Sequence, residues 1–326
     1  MEKARFKWVL RERNRKIAAK TEVFTEQQAR RVRSFHSSFK EYSPTPLIEL
    51  TSLAQHLGIK NLFVKDESYR FGLNAFKVLG GSFAIGSYIA NELGEDIDDL
   101  PYMRLVSDEV RSLLGSKTFI TTTDGNHGRG VAWTANRLKQ QAIVYMPQGS
   151  AAERLSNIRA EGAQAEITDM NYDDTVRYTS ELAQKNGWII VQDTAWDGYT
   201  RIPLWIMQGY MTMALEAYEQ LPVKPTHIFL QAGVGSLAGS VQGFFADIYG
   251  SSCPLTFIVE PKGADCLYQT AAANDGSLHS VTGRLETIMA GLACGEPNSI
   301  AWEILGNLSD GFILSLIHIS EPTRRS

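Results

Sequence analysis

The sequence predicts an α/β protein whose parallel strands are covered by helices. From about Asn61 onward, short apolar runs alternate with segments of helical periodicity, which is the order of elements in such folds. Several runs are continuous and rich in β-branched residues, as is typical of strands that are buried on both faces. The length of 326 residues exceeds the size at which one core usually stops growing, so we expect one large or two smaller domains.

Each apolar run and each periodic segment predicts one element. Helices are expected at 21–39, 151–161, 173–185, 204–220, 237–249 and 299–310. Strands are expected at 61–65, 118–122, 142–146, 165–168, 188–191, 227–230 and 255–259, and a further strand begins at Phe312. The pair Gly80 and Gly81 is a candidate point for the chain to cross between domains.

Composition and charge favour a small-molecule ligand over nucleic acid or a membrane. The net charge is −4 and no long basic run occurs, so no electrostatic feature attracts nucleic acid. The first residues are charged, and no window approaches the length of a membrane span. The three scattered cysteines do not form a disulfide framework; buried thiols are the simpler interpretation, with a Cys266–Cys294 pair as the alternative. We therefore expect a cytoplasmic protein, and we expect no metal in its site.

A lysine in an apolar turn defines the first of three motifs, Asn74-Ala-Phe-Lys-Val-Leu-Gly-Gly-Ser82. Its apolar neighbours surround Lys77, and burial in such a setting favours the neutral amine that attacks a carbonyl. We expect the diglycine of this motif to open a helix. The alternative interpretation is a surface lysine that extends its amine into solvent.

A small-residue loop between a predicted strand and a helical pattern is the second motif, Thr121-Thr-Thr-Asp-Gly-Asn-His-Gly-Arg-Gly-Val-Ala132. Small residues let backbone amides approach an anion, such as a carboxylate, at the start of a helix. Asn126 is a candidate to hydrogen-bond a ring hydroxyl. A turn without a ligand is the alternative, because Gly and Asn are common in tight turns for conformational reasons.

The third motif, Gln231-Ala-Gly-Val-Gly-Ser-Leu-Ala-Gly239, lies between a predicted strand and a predicted helix. Backbone N–H groups exposed by glycine, together with Ser236, are typical of a phosphate-binding turn at a helix N-terminus. The spacing of Gly233, Gly235 and Ala238 also approximates a dinucleotide-binding turn, so a nicotinamide-dependent dehydrogenase is an alternative. Dinucleotide turns usually follow the first strand of a domain, however, and this turn lies late in the chain.

The order of these motifs resembles the fold-type II, tryptophan synthase β-like family of pyridoxal-phosphate (PLP) enzymes, which includes the serine and threonine dehydratases. The chain is more similar to the diaminopropionate ammonia-lyase family. That similarity rests on the first two motifs, on Val-Gln-Asp-Thr-Ala-Trp at 191–196 and on Gly-Leu-Ala-Cys-Gly-Glu-Pro-Asn at 291–298. It extends from the N-terminal region to about Ile313.

The resemblance implies a set of cofactor contacts. Lys77 carries the cofactor covalently, and Asn126 contacts the hydroxyl of its ring. The phosphate is held by Gly233, Val234, Gly235, Ser236 and Leu237.

The resemblance also implies a domain arrangement and a usual assembly. The site lies between a large domain, residues 1–80 plus 190–313, and a small mobile domain, residues 81–189. The usual assembly is a homodimer. Apart from that resemblance, residues 314–326 are interpreted as a non-native tail, with a natural short tail as the alternative. Family members continue past that point, so the closing strands and the partner of the pyridine nitrogen are expected in sequence that follows there.

Two aspartates favour a substrate with two amino groups. Related dehydratases usually carry a serine where this chain has Asp124, and a carboxylate there repels a substrate carboxylate unless the substrate brings an extra ammonium. Asp193, after the strand at 188–191, is a second candidate to contact the β-amino group, with a strand-end turn residue as the alternative. Gly125 and His127 complete the predicted substrate contacts, and a positional role is the alternative for His127.

The implied reaction is that of a carbon–nitrogen lyase of amino-acid catabolism, which converts 2,3-diaminopropionate to pyruvate and two molecules of ammonia. Lys77 is expected to remove the α-proton from one face, and Asp124 is the candidate base for the opposite face. A serine or threonine dehydratase of the same fold is the alternative, and a panel of amino acids separates the two.

Overall fold

The computed structural model describes residues 6–11, 21–123, 125–283, 285, 287 and 289–315, apart from the side chain of residue 173. Its strands are, in chain order, β1 (Phe6–Leu10), β2 (Leu47–Glu49), β3 (Phe63–Lys65), β4 (Thr118–Thr122), β5 (Gln141–Met146), β6 (Gln164–Ile167), β7 (Ile189–Ile190), β8 (His227–Gln231), β9 (Leu255–Pro261) and β10 (Gly311–Ser315). Its helices are α1 (Glu26–Ser37), α2 (Thr51–Leu57), α3 (Lys77–Leu93), α4 (Tyr102–Leu105), α5 (Asp108–Leu114), α6 (Asn126–Arg137), α7 (Ala152–Ala160), α8 (Tyr172–Asn186), α9 (Arg201–Gln220), α10 (Ser236–Tyr249), α11 (Cys266–Ala273) and α12 (Ser299–Leu308).

The elements predicted from the sequence are confirmed. Every predicted strand and helix is present with ends that differ by a few residues, and the helix expected from residue 21 begins at Glu26. The sequence analysis missed the short elements β1, β2, α2, α4, α5 and α11. Within the residues that the structure describes, no helix is long and apolar enough to span a membrane.

The chain forms two compact units, and each is an α/β layer structure, as predicted. The first unit comprises Met1–Gln28, Gln192–Gln208 and Pro225–Ser326. Its sheet has the order β1-β10-β9-β8, in which only the β1–β10 pair is antiparallel among the pairs of that sheet. The second unit comprises Ala29–Val191 and Gly209–Lys224. It holds the parallel sheet β6-β5-β4-β7 and the antiparallel pair β2–β3.

The predicted division into a large domain and a small mobile one stays a prediction, since it concerns motion. Gly80 and Gly81, the candidate crossing point, lie inside α3 and within the second unit. Of the predicted tail, Leu314 and Ser315 belong to β10 and pair with β9. The rest of that segment, 316–326, lies outside the described residues.

A buried ionic cluster stabilises the second unit. The guanidinium of Arg70, with no exposed surface, forms two 2.8 Å hydrogen bonds to the carboxylate of Glu216 and two of the same length to Glu67. Lys65 adds a 2.8 Å ion pair to Glu216. Burial alone would raise the pKa of Glu216, but the hydrogen bonds and charges of Arg70 and Lys65 outweigh burial and lower this pKa to about 2.

This cluster anchors the segment that leads to Lys77. Arg70 belongs to the 3-10 turn Glu67–Gly72, and the residues that follow it have left-handed backbone conformations. These conformations occur at Phe71 (φ 50°), Gly72 (φ 72°) and Asn74 (φ 59°). Because left-handed backbone is unfavourable for residues other than glycine, tertiary contacts must hold the segment in place.

A neutral histidine is buried beneath the first turn of α3. His36 is fully buried, with Nε2 3.1 Å from the carbonyl oxygen of Leu79 and Nδ1 2.7 Å from Oγ1 of Thr212. A carbonyl only accepts, so Nε2 carries the hydrogen and Nδ1 accepts from the hydroxyl of Thr212. Burial, reinforced by the positive charge of Arg70, lowers the pKa of His36 to about 3.

The buried imidazole predicts a loss of stability in mild acid. The unfolded chain binds a proton at His36 below its ordinary pKa of 6.5, whereas the folded chain does so only near 3. The stability from the neutral ring is therefore fully present above pH 6.5 and declines as the pH falls toward 3. The slope is about 1.4 kcal/mol per pH unit, so the loss reaches about 2 kcal/mol near pH 5.

Urea unfolding at about pH 7.5 and about pH 5 tests this expectation, with His36→Gln as the matched variant. Glutamine can still donate to the carbonyl of Leu79 but does not titrate, so the variant should lose about 2 kcal/mol less than the wild type over this range. An equal loss in both proteins would contradict the assignment.

Candidate active site

Lys77 is the first residue of α3 and is half-buried. The next two residues, Val78 and Leu79, are fully buried, and Nζ of Lys77 lies 5.7 Å from the centre of the Phe76 ring. The expectation that the diglycine opens this helix is wrong, because the helix begins three residues earlier. The glycines serve close packing instead.

The start of α3 contacts two other helices through a glycine seam made of Gly81, Gly130 and Gly209. A Cβ at Gly130 would lie 2.9 Å from the backbone N and Cα of Val78, and a Cβ at Gly81 would lie 3.5 Å from the backbone of Gly130. A Cβ at Gly209 would overlap the carbonyl oxygen of Leu79. Backbone therefore packs on backbone at the seam, and this packing places the start of α3 against α6 and α9.

The second motif forms the start of α6 in the same unit. Asn126 is the first helical residue and is exposed, and the N–H of Gly125 donates to Oγ1 of Thr123 at 3.0 Å. Nε2 of the buried His127 lies 2.7 Å from the carbonyl oxygen of Val191, to which it donates. This bond ties α6 to the end of β7 and favours a positional role for His127. Asp124 lies outside the described residues.

The glycine turn after β8 lies in the first unit and forms the N-terminus of α10. Gly235 precedes the first helical residue with φ 100°, and no side chain caps this helix end. A Cβ at Gly233 would lie 3.3 Å from Sγ of Cys294 and 3.4 Å from Cα of Leu292. The left-handed backbone favours glycine at Gly235, and Gly233 has little room for a side chain. The first-turn N–H groups and the helix dipole are left to attract an anion.

Asp193 is joined to this turn by a hydroxyl. The hydroxyl of Ser236 donates to the backbone carbonyl of Asp193 at 2.6 Å, and Nδ2 of Asn298 donates to the same hydroxyl at 2.8 Å. The N–H of Gln192 donates to the hydroxyl of Tyr199 at 2.8 Å. Burial raises the pKa of Tyr199, and the charge of Asp193 raises it further, so the phenol stays protonated.

The structure thus assigns the predicted site residues to two groups. The second unit holds Lys77, Gly125, Asn126 and His127. The first unit holds Asp193 and the turn 233–237. Asn298, which bonds to Ser236 in this turn, was not predicted. The signal that could have identified it is an asparagine directly before a predicted helix, the usual position of a helix cap.

These groups fit the chemistry of pyridoxal 5′-phosphate. A half-buried primary amine at Lys77 suits the aldehyde of that cofactor. An uncapped helix N-terminus, kept bare by two glycines, suits a phosphate dianion.

Comparison with known proteins also indicates an enzyme that uses pyridoxal phosphate. The family described as "Pyridoxal-phosphate dependent enzyme" matches residues 39–318. Diaminopropionate ammonia-lyase of Salmonella typhimurium is 53% identical over 286 residues, which are 86% of this chain and 71% of that protein.

Solved structures of the Escherichia coli diaminopropionate ammonia-lyase have the same fold. Its holo form superposes with a TM-score of 0.86 at 49% identity, over 95% of this chain and 76% of that one. Its complex with an aminoacrylate–PLP azomethine reaction intermediate gives a TM-score of 0.84 at 48% identity, over 95% and 76%. The chain therefore belongs to the fold-type II pyridoxal-phosphate enzymes and, within them, to the diaminopropionate ammonia-lyase family.

Proposed function

We infer that this chain uses PLP to eliminate the β-amino group of 2,3-diaminopropionate, giving pyruvate and two molecules of ammonia. The single observation that carries this inference is the 53% identity with the Salmonella typhimurium diaminopropionate ammonia-lyase across 86% of the chain. Because the chain belongs to the PLP family, the glycine turn at 233–237 is better explained as a phosphate-binding turn for PLP than as the dinucleotide-binding turn of a dehydrogenase.

We propose that Lys77 acts both as the attachment point of the cofactor and as a base. Bound PLP supplies an electron sink for the negative charge that develops at the α-carbon of the substrate. With the cofactor bound, the amine of Lys77, when it is not bonded to that cofactor, would remove the α-proton from its own face of the substrate. Asp124 is proposed as the base for the opposite face.

The cofactor contacts proposed for the rest of the chain use mainly backbone groups. The hydroxyl of Ser236 already donates its hydrogen to Asp193, so the backbone N–H of Ser236 is the donor left for the phosphate. Asn126 is exposed at the start of α6 and is proposed to contact the ring hydroxyl. The other proposed phosphate donors are the N–H groups of Gly233, Val234, Gly235 and Leu237.

The proposed specificity for a diamino acid depends on carboxylates. Asp193 is buried and follows β7, where its carboxylate would stabilise the β-ammonium of the substrate. Gly125 is proposed to place a backbone amide near the substrate carboxylate. His127 is proposed to support that loop through its bond to Val191.

We further propose that the protein works as a homodimer in the cytoplasm, in amino-acid catabolism. Support for the compartment comes from the cysteines, since Cys253, Cys266 and Cys294 are all thiols and the alternative Cys266–Cys294 pair is not formed. Burial raises the pKa of the Cys266 thiol, which keeps it protonated and unreactive.

Absorption spectra and product analysis test the function. Purified chain incubated with PLP should remain yellow after the excess cofactor is removed, and 2,3-diaminopropionate should yield two ammonia per pyruvate. Serine and threonine are the matched substrates, and each yields one ammonia per keto acid. Faster turnover of serine or threonine than of 2,3-diaminopropionate would favour the dehydratase alternative, and a protein that is colourless once the excess PLP is removed would overturn the proposal.

A further inference from the structure

We propose that Asn298 is a positioning residue that couples Asp193 to the phosphate-binding turn through the hydroxyl of Ser236. The proposal rests on the proposed function for what the turn and Asp193 bind. Asn298 ends the Gly-Glu-Pro-Asn motif, to which the proposed reaction gives no role.

Asn298 makes three kinds of contact from a fully buried position. Its Oδ1 accepts from the backbone N–H groups of Ile300 at 2.9 Å and Ala301 at 3.3 Å, which caps α12. Its Nδ2 donates to Oγ of Ser236 at 2.8 Å. Its backbone N–H donates to the carbonyl of Val234 at 2.8 Å. One residue therefore caps a helix and holds the phosphate-binding turn at two points.

The direction of each hydrogen bond is fixed by chemistry. Oδ1 of Asn298 faces two backbone N–H groups, so the group that faces Ser236 is the amide nitrogen, which can only donate. The hydroxyl of Ser236 therefore accepts from Asn298 and gives its own hydrogen to the carbonyl of Asp193. If Ser236 donated to Asn298 instead, its hydroxyl would have no hydrogen left for the carbonyl of Asp193.

Close packing keeps this chain of hydrogen bonds from relaxing. A Cβ at Gly239 in α10 would lie 3.0 Å from Cα of Ala301 in α12, so the two helices approach at backbone distance near the contact. Ala301 and Ser236 are themselves fully or almost fully buried. Because the contact is buried, loss of the hydrogen bond at Ser236 costs free energy that water cannot easily restore, and we expect the segment around Asp193 to become less tightly held.

The substitution Asn298→Asp separates the two roles of the side chain. Aspartate caps a helix as well as asparagine does, so one oxygen keeps the bonds to Ile300 and Ala301. The other oxygen cannot donate to the hydroxyl of Ser236 and instead accepts the hydrogen of that hydroxyl. The backbone carbonyl of Asp193 then loses its hydrogen bond from Ser236. The variant Asn298→Ala loses both roles and serves as the structural control.

Hydrogen exchange on the cofactor-free protein is the first measurement. In Asn298→Asp, the segments 189–196 and 231–238 should exchange about tenfold faster, the effect of one lost buried hydrogen bond, while 299–308 keeps its wild-type rate. In Asn298→Ala all three segments should exchange faster. Wild-type exchange at 189–196 in Asn298→Asp, or equal exposure of 299–308 in both variants, would overturn the proposal.

A second variant covers the case in which a buried aspartate prevents folding. Ser236→Ala keeps the whole of Asn298 and removes only the hydroxyl, so it should give the same faster exchange at 189–196. Folded variants should also bind PLP about five- to tenfold more weakly in an absorbance titration. They should discriminate less between 2,3-diaminopropionate and serine in kcat/KM. Exchange needs neither cofactor nor turnover, so it decides the role of Asn298 even if the proposed function fails.

Discussion

Replacing Lys77 by alanine is expected to abolish pyruvate release from 2,3-diaminopropionate and the yellow colour of the cofactor-loaded protein. The substitution removes both the amine that carries the cofactor and the proposed base, and a general base alone contributes roughly 10²- to 10⁴-fold. We therefore expect turnover to fall at least about a thousandfold. Absorption spectra with PLP and a coupled pyruvate assay measure the two losses separately.

The matched control is Lys117→Ala, which removes the amine of a half-buried lysine that pairs with Glu92 at 3.5 Å. That variant should keep its colour and its turnover. Alanine at the first position of α3 is compatible with a helix, so Lys77→Ala should unfold at the wild-type urea concentration. Wild-type turnover by a folded Lys77→Ala protein would rule out the proposed mechanism.

Replacing Arg70 by leucine is expected to cause the largest loss of stability. Among the residues that the structure describes, the substitution leaves the carboxylate of Glu216, whose side chain is 1% exposed, with Lys65 as its one cationic partner. Removing one partner of a buried ion pair typically costs about 3–5 kcal/mol, because the remaining charge stays buried. That is a large share of the roughly 5–15 kcal/mol by which proteins are stable, so the variant should unfold at a much lower urea concentration than the wild type.

Urea unfolding of Arg70→Leu and Arg177→Leu tests this expectation side by side. Arg177 pairs with Asp174 at 2.6 Å on the surface, with side chains 65% and 47% exposed. Such a pair contributes about 0–1 kcal/mol, so Arg177→Leu should unfold almost as the wild type does. Adding Glu216→Gln to Arg70→Leu removes the buried negative charge that has lost its guanidinium partner and should restore part of the loss. Equal stability of the two arginine variants would show that the buried cluster does not stabilise the fold.

The sequence predicted most elements because their signals are local. Continuous apolar runs and helical periodicity are properties of a dozen consecutive residues, and they placed β4, β5, β8 and β9 within two residues of their observed ends. β1 carries no such signal. It is a short edge strand with a lysine in it, and it becomes a strand only because it pairs with β10 at the other end of the chain.

The start of α3 is another place where contacts with distant residues could not be predicted from local sequence patterns. The diglycine at 80–81 suggested the beginning of a helix, but these glycines lie inside α3, where Gly130 of α6 packs at backbone distance, and no local pattern shows that partner. The Arg70–Glu216 contact joins residues 146 positions apart, so it could not be predicted from local patterns either. The motifs themselves could be recognised in the sequence, because Lys77 and Asn126 each begin a helix, Gly233 lies just before one, and the residue types around each suit a ligand.

The glycine seam restricts how evolution or engineering can alter the substrate range of this protein. At the seam the backbones are in direct contact, so a methyl group added at Gly130 or Gly209 would overlap the backbone of α3. A shift or tilt of α3 that made room for a bulkier amino acid would disrupt this packing. If the proposed substrate contacts are right, new specificity would come from the loops that carry Gly125 and Asp193, while the helix that begins with Lys77 keeps its position.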